Sequence, residues 1–217
     1  MEKLNLQKLN HLAAIALNNG IHIHFDSIQL YKNKSYSTSY FLAILALEEI
    51  GKAFSIDHFW WHSRIDGRSS PEFEHEWINN LFTHKFKQKS YARFFNCMLN
   101  NKELEVDISN GSLELLKQNS IYVGIGKNRG KSSLNDKINN PQNMTSVKPK
   151  TIITYTNTKL IEFCLLQIKD FGGFDSYEMS KILDLELYYR LNREWSILFK
   201  ESKKRIKELE KYEESNN

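Results

Sequence analysis

The chain is short of cysteine, proline, glycine and long apolar runs, and each shortage removes a class of protein. Its 217 residues include two cysteines, Cys97 and Cys164. Two thiols 67 positions apart form neither a disulfide framework nor a CxxC metal knuckle. Phe95 and Met98 flank one, and Phe163 and Leu165 the other, so both read as reduced core thiols. Three prolines and nine glycines are too few for a turn-rich β-sandwich or for collagen- or linker-type sequence. The longest uninterrupted apolar stretch, Tyr40 to Leu47, is eight residues, far below the roughly 20 that span a bilayer. The opening Met1-Glu2-Lys3-Leu4-Asn5 has no apolar signal-peptide region. A soluble, cytoplasmic protein without membrane partners is expected.

What remains is globular in composition. Hydrophobic residues make up 41%, charged residues 26% and aromatics 12%, which excludes disorder throughout and supports a filled core. The net charge of +4 is unevenly spread. Between residues 126 and 150, Lys127, Arg129, Lys131, Lys137, Lys148 and Lys150 stand against Asp136 alone. Those residues could touch RNA phosphates, but they include no aromatic for base stacking, which favours a solvated loop.

Apolar spacing predicts a single all-α domain over 1–217, an antiparallel bundle of about five main helices. A first helix is expected over about 4–32, with Gly20 a point of weakness, and a second over about 37–63 after the turn Asn33-Lys34-Ser35. Ser35, Ser37 and Thr38 are candidate caps for it. Pro71, with Glu72 and Glu74 behind it, suits the first turn of a third helix that runs on to Met98. Residues 99–111 read as an irregular connector, 112–119 as a short helix, and 126–150 as a long mobile basic loop. Ile121, Tyr122 and Val123 on one side and Thr151 to Thr156 on the other are strand-like. They predict a small hairpin of 120–125 with 151–156 closing that loop. C-terminal helices are expected over 157–212, broken at Phe171-Gly172-Gly173-Phe174.

The second helix carries the most information. From Ser37 to Ile56 it holds only Glu48, Glu49 and Lys52 as charges. Apolar side chains otherwise surround it, as in a central buried helix. On a helical wheel Glu49 falls in the most apolar arc, and Glu48 and Lys52 stand one turn apart in the favourable order. A buried carboxylate requires a cation or hydrogen-bond donors, and the third helix offers His84 and Lys87 on one face, with Lys85 pointing elsewhere. Two readings follow: an ion-pair network that fixes helix register, or a functional polar site at a helical or dimer seam. Gly51 costs about 1 kcal/mol against Ala in a helix interior, so a neighbouring element is expected to approach closely there.

Ala46, Glu48, Glu49, Gly51, Lys52 and Ala53 form an A-x-E-E-x-G-K-A pattern that resembles the signature of the AbiV abortive-infection proteins of the HEPN superfamily. His84 and Lys87 are similar to a following H-x-x-K element. Lys117 with Tyr122-Val123-Gly124 is similar to a third, with Gly124 where an acid is usual. The resemblance covers about 5–125, which makes 1–125 the HEPN/AbiV-like core. It implies a HEPN-like helical bundle, a homodimer, and a part in halting phage infection through RNA, the translation machinery or a phage protein. In a metal-independent ribonuclease of this type His84 would be acid/base, Lys52 or Lys87 would stabilise the phosphorane, and Glu49 would orient them, with Glu48 and Tyr122 in support. The alternative is a non-catalytic helical binding module. No cofactor or metal is implied.

Other patterns weigh less. The one match to the R-x4-6-H motif that many HEPN ribonucleases carry is Arg68 with His75, and it straddles the Pro71 loop. His22 and His24 lie on different helix faces. His58 and His62 have the spacing of two metal ligands on one helical face, but Trp60 and Trp61 beside them make an aromatic helix end the simpler reading. Gly124, Gly126 and Gly130 have the wrong spacing for a phosphate loop.

Overall fold

A computed structural model describes residues 5–65, 71–96, 102–125, 127–128, 131–132, 137–169 and 176–214. The described residues form an all-α bundle in which two long antiparallel helices, α1 (Leu6–Lys32) and α2 (Tyr36–Ile65), lie side by side. Asn5 caps α1 by accepting from the Lys8 amide at 3.1 Å. The link to α2 is a Schellman turn: Lys34 takes φ 63°, its amide donates to Tyr31 O and the Ser35 amide donates to Leu30 O, both at 2.9 Å. Ser35 therefore stands at the N-cap position of α2.

Small residues set the spacing of this pair. Ala13, Ala16, Ala43, Ala46 and Ala53 are all buried. A β-carbon on Gly20 would lie 2.7 Å from Ile50 Cγ1 and 3.2 Å from Ala46 O. Gly20 thus marks close packing within one continuous helix.

The expected third helix is two: α3 (Pro71–Leu81) and α4 (His84–Asn96). They part at Phe82 and Thr83, where the Thr83 hydroxyl accepts from the Phe86 amide at 3.4 Å and starts α4. Phe59 of α2 stacks on Trp77 of α3, centroids 4.0 Å apart. The connector expected to be irregular holds α5 (Lys102–Ser109), and α6 (Ser112–Asn119) follows after Gly111 at φ 77°.

Residues 151–156 correct the predicted hairpin. They belong to α7 (Val147–Ile168), a helix whose residues from Ile152 to Leu165 are all buried. A helix enclosed on every side shows no 3.6-residue periodicity, and its β-branched run imitates a strand. The strand that does form, β1 (Gly124–Ile125), pairs antiparallel with β4 (Ile138–Asn139). Between them β2 (Lys127–Asn128) pairs with β3 (Lys131–Ser132), and a 3-10 turn at Pro141–Asn143 leads to α7. So the segment expected to be one mobile loop, 126–150, contains β2, β3, β4 and the first turn of a core helix. The C-terminal part is α8 (Tyr177–Ile182), α9 (Leu185–Glu194) and α10 (Lys200–Glu214), where one helix was expected. Ser176 and Asp184 cap α8 and α9.

In the assembled bundle α2 is the axis, packed by α1, α4, α6 and α7, while α7 adds contacts to α9 and α10. No helix among the described residues is long and apolar enough to cross a membrane.

Candidate functional site

The site forms where α2 meets α4 and α6. Its closest approach is at Gly51, where a β-carbon would collide with the backbone oxygen of Lys87 and lie 2.9 Å from Tyr91 Cβ. The missing side chain lets α4 rest directly on α2, as its cost in a helix interior implied. That contact brings His84, Lys87 and Gln88 of α4 up to Glu48 and Glu49 of α2.

Glu48 is the centre, with its side chain 1% exposed. Its Oε1 accepts from Lys117 Nζ at 2.8 Å and from Gln88 Nε2 at 2.7 Å. Its Oε2 lies 2.6 Å from His84 Nδ1. An ionised Glu48 cannot donate, so Nδ1 carries the hydrogen of this bond. Lys117 Nζ, 3.2 Å from the same Nδ1, is then an electrostatic neighbour of the ring and not its donor. Lys117 also pairs with Glu114 at 2.7 Å, one turn back on α6. Burial favours protonation of Glu114, yet the Lys117 hydrogen bond and charge, with Gln118 and His84, hold its carboxyl below the ordinary value.

Glu49 occupies the flank. Lys52 donates to its Oε2 at 2.6 Å, Asn19 Nδ2 reaches the same oxygen at 3.4 Å, and Lys87 Nζ lies 3.7 Å from Oε1 and 4.0 Å from Glu48 Oε2. The wheel placed Glu49 deepest and paired Lys52 with Glu48. In the structure Glu48 is deepest and Lys52 pairs with Glu49. The two carboxylates differ by about 100° around the helix, and an axis apolar on all sides gives the wheel no single inward direction. What decides it is which neighbour carries donors, and α4 and α6 face Glu48.

Of the residues expected at a site, Glu48, Glu49, Lys52, His84 and Lys87 lie together. Tyr122 does not join them; it is 64% exposed beyond the end of α6. Three participants were not singled out: Gln88, Glu114 and Lys117, the last noted only as a basic residue before Tyr122. Gln88 stands one helical turn after His84, and Glu114 one turn before Lys117, so their spacing carried the signal. Among the other candidates, His22 is exposed while His24 is fully buried. His75 is exposed on α3; Arg68, Gly126, Gly130, Cys97 and the side chains of Trp60, Trp61 and His62 lie outside what is described. Cys164 is a buried free thiol whose pKa is pushed up by burial.

Three ammonium groups (Lys52, Lys87, Lys117) face three carboxylates (Glu48, Glu49, Glu114), so with a neutral His84 the cluster carries no net charge. The lysine side chains are 13%, 11% and 3% exposed. His84 is the member most open to solvent, at 53%, followed by Glu114 at 29%. Glu48, His84 and Glu114 also bring potential ligand atoms within 4.8 Å of one another. The Lys117 ammonium touches all three, so a metal would have to displace a cation the protein already supplies.

A helical bundle whose axis carries a largely buried, charge-matched cluster is the class these features define. The model of the AbiV family, HEPN_AbiV, matches residues 8–161. The chain belongs to that family, which makes it an abortive-infection defence protein of the HEPN type. The match extends past α6 into α7, beyond the span the sequence motifs covered. No curated protein and no solved structure matches the chain.

Proposed function

We propose that this is an antiphage protein that halts infection as a non-catalytic helical module, binding a protein partner in the cytoplasm, with a phage protein as its trigger. The observation that carries this reading is the charge balance at the seam. Every ammonium there is matched by a carboxylate and shielded from water, which leaves no unpaired cation to bind an RNA phosphate or stabilise a phosphorane. The Glu-Glu, Gly-Lys and His-x-x-Lys elements then serve architecture: glycine sets the distance between α2 and α4, and the charges set their register.

One observation favours a second reading, a metal-independent ribonuclease. A buried carboxylate holding one imidazole nitrogen while the ring opens to solvent is the arrangement of a positioned general acid/base. On this reading His84 is the catalytic residue and Glu48, not Glu49, the positioning residue.

The two readings part at His84→Ala, because His84 is the exposed member of the cluster and Lys117 and Gln88 still hold Glu48 in its absence. Cells expressing wild type, His84→Ala or Glu48→Gln would be infected, then scored for plaque formation and for integrity of total RNA. The binding reading predicts intact RNA throughout and full protection by His84→Ala. Protection lost in a folded His84→Ala, with RNA cleaved only by the wild type, would establish the ribonuclease.

A further inference from the structure

Four helices, α2, α5, α6 and α7, line a cleft that shares no residue with the charge cluster. Its volume is about 330 Å³, which falls within the range of small-molecule sites, about 300–1,000 Å³. Leu104 of α5, Leu113 of α6 and Ile152 of α7 line it and are buried, so its wall is aliphatic. Three side chains add polarity to that wall: Tyr40 of α2, Asp107 of α5 and Lys148 of α7. Tyr40 is 3% exposed. Its hydroxyl makes no hydrogen bond to a described residue and is not sealed in, so it opens onto the cleft. Burial, and after it the charge of Asp107, push the Tyr40 pKa up, which keeps the hydroxyl protonated and able to donate. Asp107 is half-buried and held from one side, where the Ser112 hydroxyl donates to Oδ1 at 2.6 Å. Its Oδ2 is left for another donor. Lys148 is exposed and forms no ion pair with Asp107 or with any other described residue.

A carboxylate and an ammonium that share one cleft without pairing are the complement of a small molecule that carries both charges itself. An anion would meet Asp107, and a cation would meet Lys148. A wholly apolar guest would desolvate both without compensating either. We infer that the cleft binds a free α-amino acid with a large apolar side chain. Its ammonium would sit on Asp107 and its carboxylate on Lys148, with the Tyr40 hydroxyl as a further donor to that carboxylate. Its side chain would lie against Leu104, Leu113 and Ile152. Such an occupant touches all four helices at once, so its binding stabilises their packing. The inference goes beyond the protein-binding reading above and does not depend on it.

The test titrates the full chain with L-leucine and with L-phenylalanine in a calorimeter. Asp107→Asn keeps an acceptor for Ser112, Tyr40→Phe keeps the ring and Lys148→Met changes an exposed position, so these variants should retain the wild-type circular dichroism. The wild type should bind at least one of the two amino acids with Kd below about 1 mM, and that ligand should raise its Tm. Asp107→Asn and Lys148→Met should each weaken binding by about tenfold, and Tyr40→Phe by a smaller factor. N-acetyl-leucine and leucinamide each lack one of the two charges and should bind the wild type about tenfold more weakly than leucine. Those analogues need no variant, so they decide the matter even where a substitution harms the fold. A Kd above about 1 mM for both amino acids, unchanged affinity in Lys148→Met or in a folded Asp107→Asn, or either analogue bound as tightly as leucine would each overturn the proposal.

Discussion

Removing the ammonium of Lys117 is the sharpest test of how the seam is built. Lys117→Met keeps the length of the side chain and deletes two donors, at 2.8 Å to Glu48 and 2.7 Å to Glu114. Glu48, 1% exposed, has no water to replace its lost partner. Breaking a buried pair in this way costs about 3–5 kcal/mol. His84 and Gln88 still donate to Glu48, and Glu114 is 29% exposed and recovers solvent, so the lower end, about 3 kcal/mol, is expected. In a chain of this size that lowers Tm by roughly 6–12 °C. Glu48→Gln should cost about 2 kcal/mol, since Lys117 keeps Glu114. The double variant removes both charges and should be no worse than the poorer single variant, a coupling of about 2 kcal/mol. Urea unfolding followed by far-ultraviolet circular dichroism gives all three values. Additive single effects would refute a direct buried pair and show that each residue acts through other neighbours.

Gly51→Ala should destabilise by about 2–3 kcal/mol, because the new methyl meets the Lys87 and Tyr91 backbone of α4; a gain near the roughly 1 kcal/mol of helix propensity would show that α4 does not lie there. Lys34→Gly should stabilise by about 0.5–1 kcal/mol in thermal unfolding, since Lys34 holds φ 63° at the Schellman position. His24 is fully buried, and burial lowers its pKa from 6.5 to about 4, with the Asn157 hydrogen bond opposing. The unfolded chain therefore binds the extra proton first, and stability complete above pH about 6.5 falls by about 3 kcal/mol as the pH drops to about 4. His24→Gln should flatten that part of a stability-against-pH curve, and an unchanged slope would refute the assignment. The depressed carboxyl of Glu114 adds a loss that begins as the pH falls through the ordinary carboxylate value and continues down to its lowered one.

The sequence is most informative where one physical demand dominates. The turn after α1, the apolar helix at the centre and the close approach at Gly51 were legible because each rests on a local rule: a breaker, a missing polar face, a glycine where helices disfavour it. Residues 151–156 misled because complete burial erases periodicity, and their β-branched side chains then suggest strand. The break between α3 and α4 rests on a single capping hydroxyl, Thr83, inside a run of well-spaced aromatics. In the site, the charges that lie close in sequence were visible. Lys117 was not, because its reach to Glu48 spans 69 positions and depends on how α6 folds back over α2.

The placement of Glu48 bears on why such a cluster sits in the core at all. An apolar replacement would cost no desolvation and could be as stable, so stability alone does not account for eight polar side chains at one helical junction. Register does. An axis apolar all round can slide or rotate against its neighbours at little cost, since almost any face suits almost any other. Glu48 removes that freedom: only one rotation of α2 and one alignment of α4 and α6 bring Gln88, His84 and Lys117 to its two oxygens together. The bundle then has a single arrangement, and the β1–β4 ribbon inherits it, clamped to the end of α6 by Asn139 Nδ2, which donates to Asn119 O at 2.8 Å and to Tyr122 O at 2.7 Å. A change at the seam that loosens α6 should therefore disturb the exposed Tyr122–Ile125 edge without touching it. Hydrogen exchange at the Gly124 and Ile125 amides should rise in Lys117→Met under conditions where the long helices stay protected. Unchanged exchange there would show that ribbon and seam are independent.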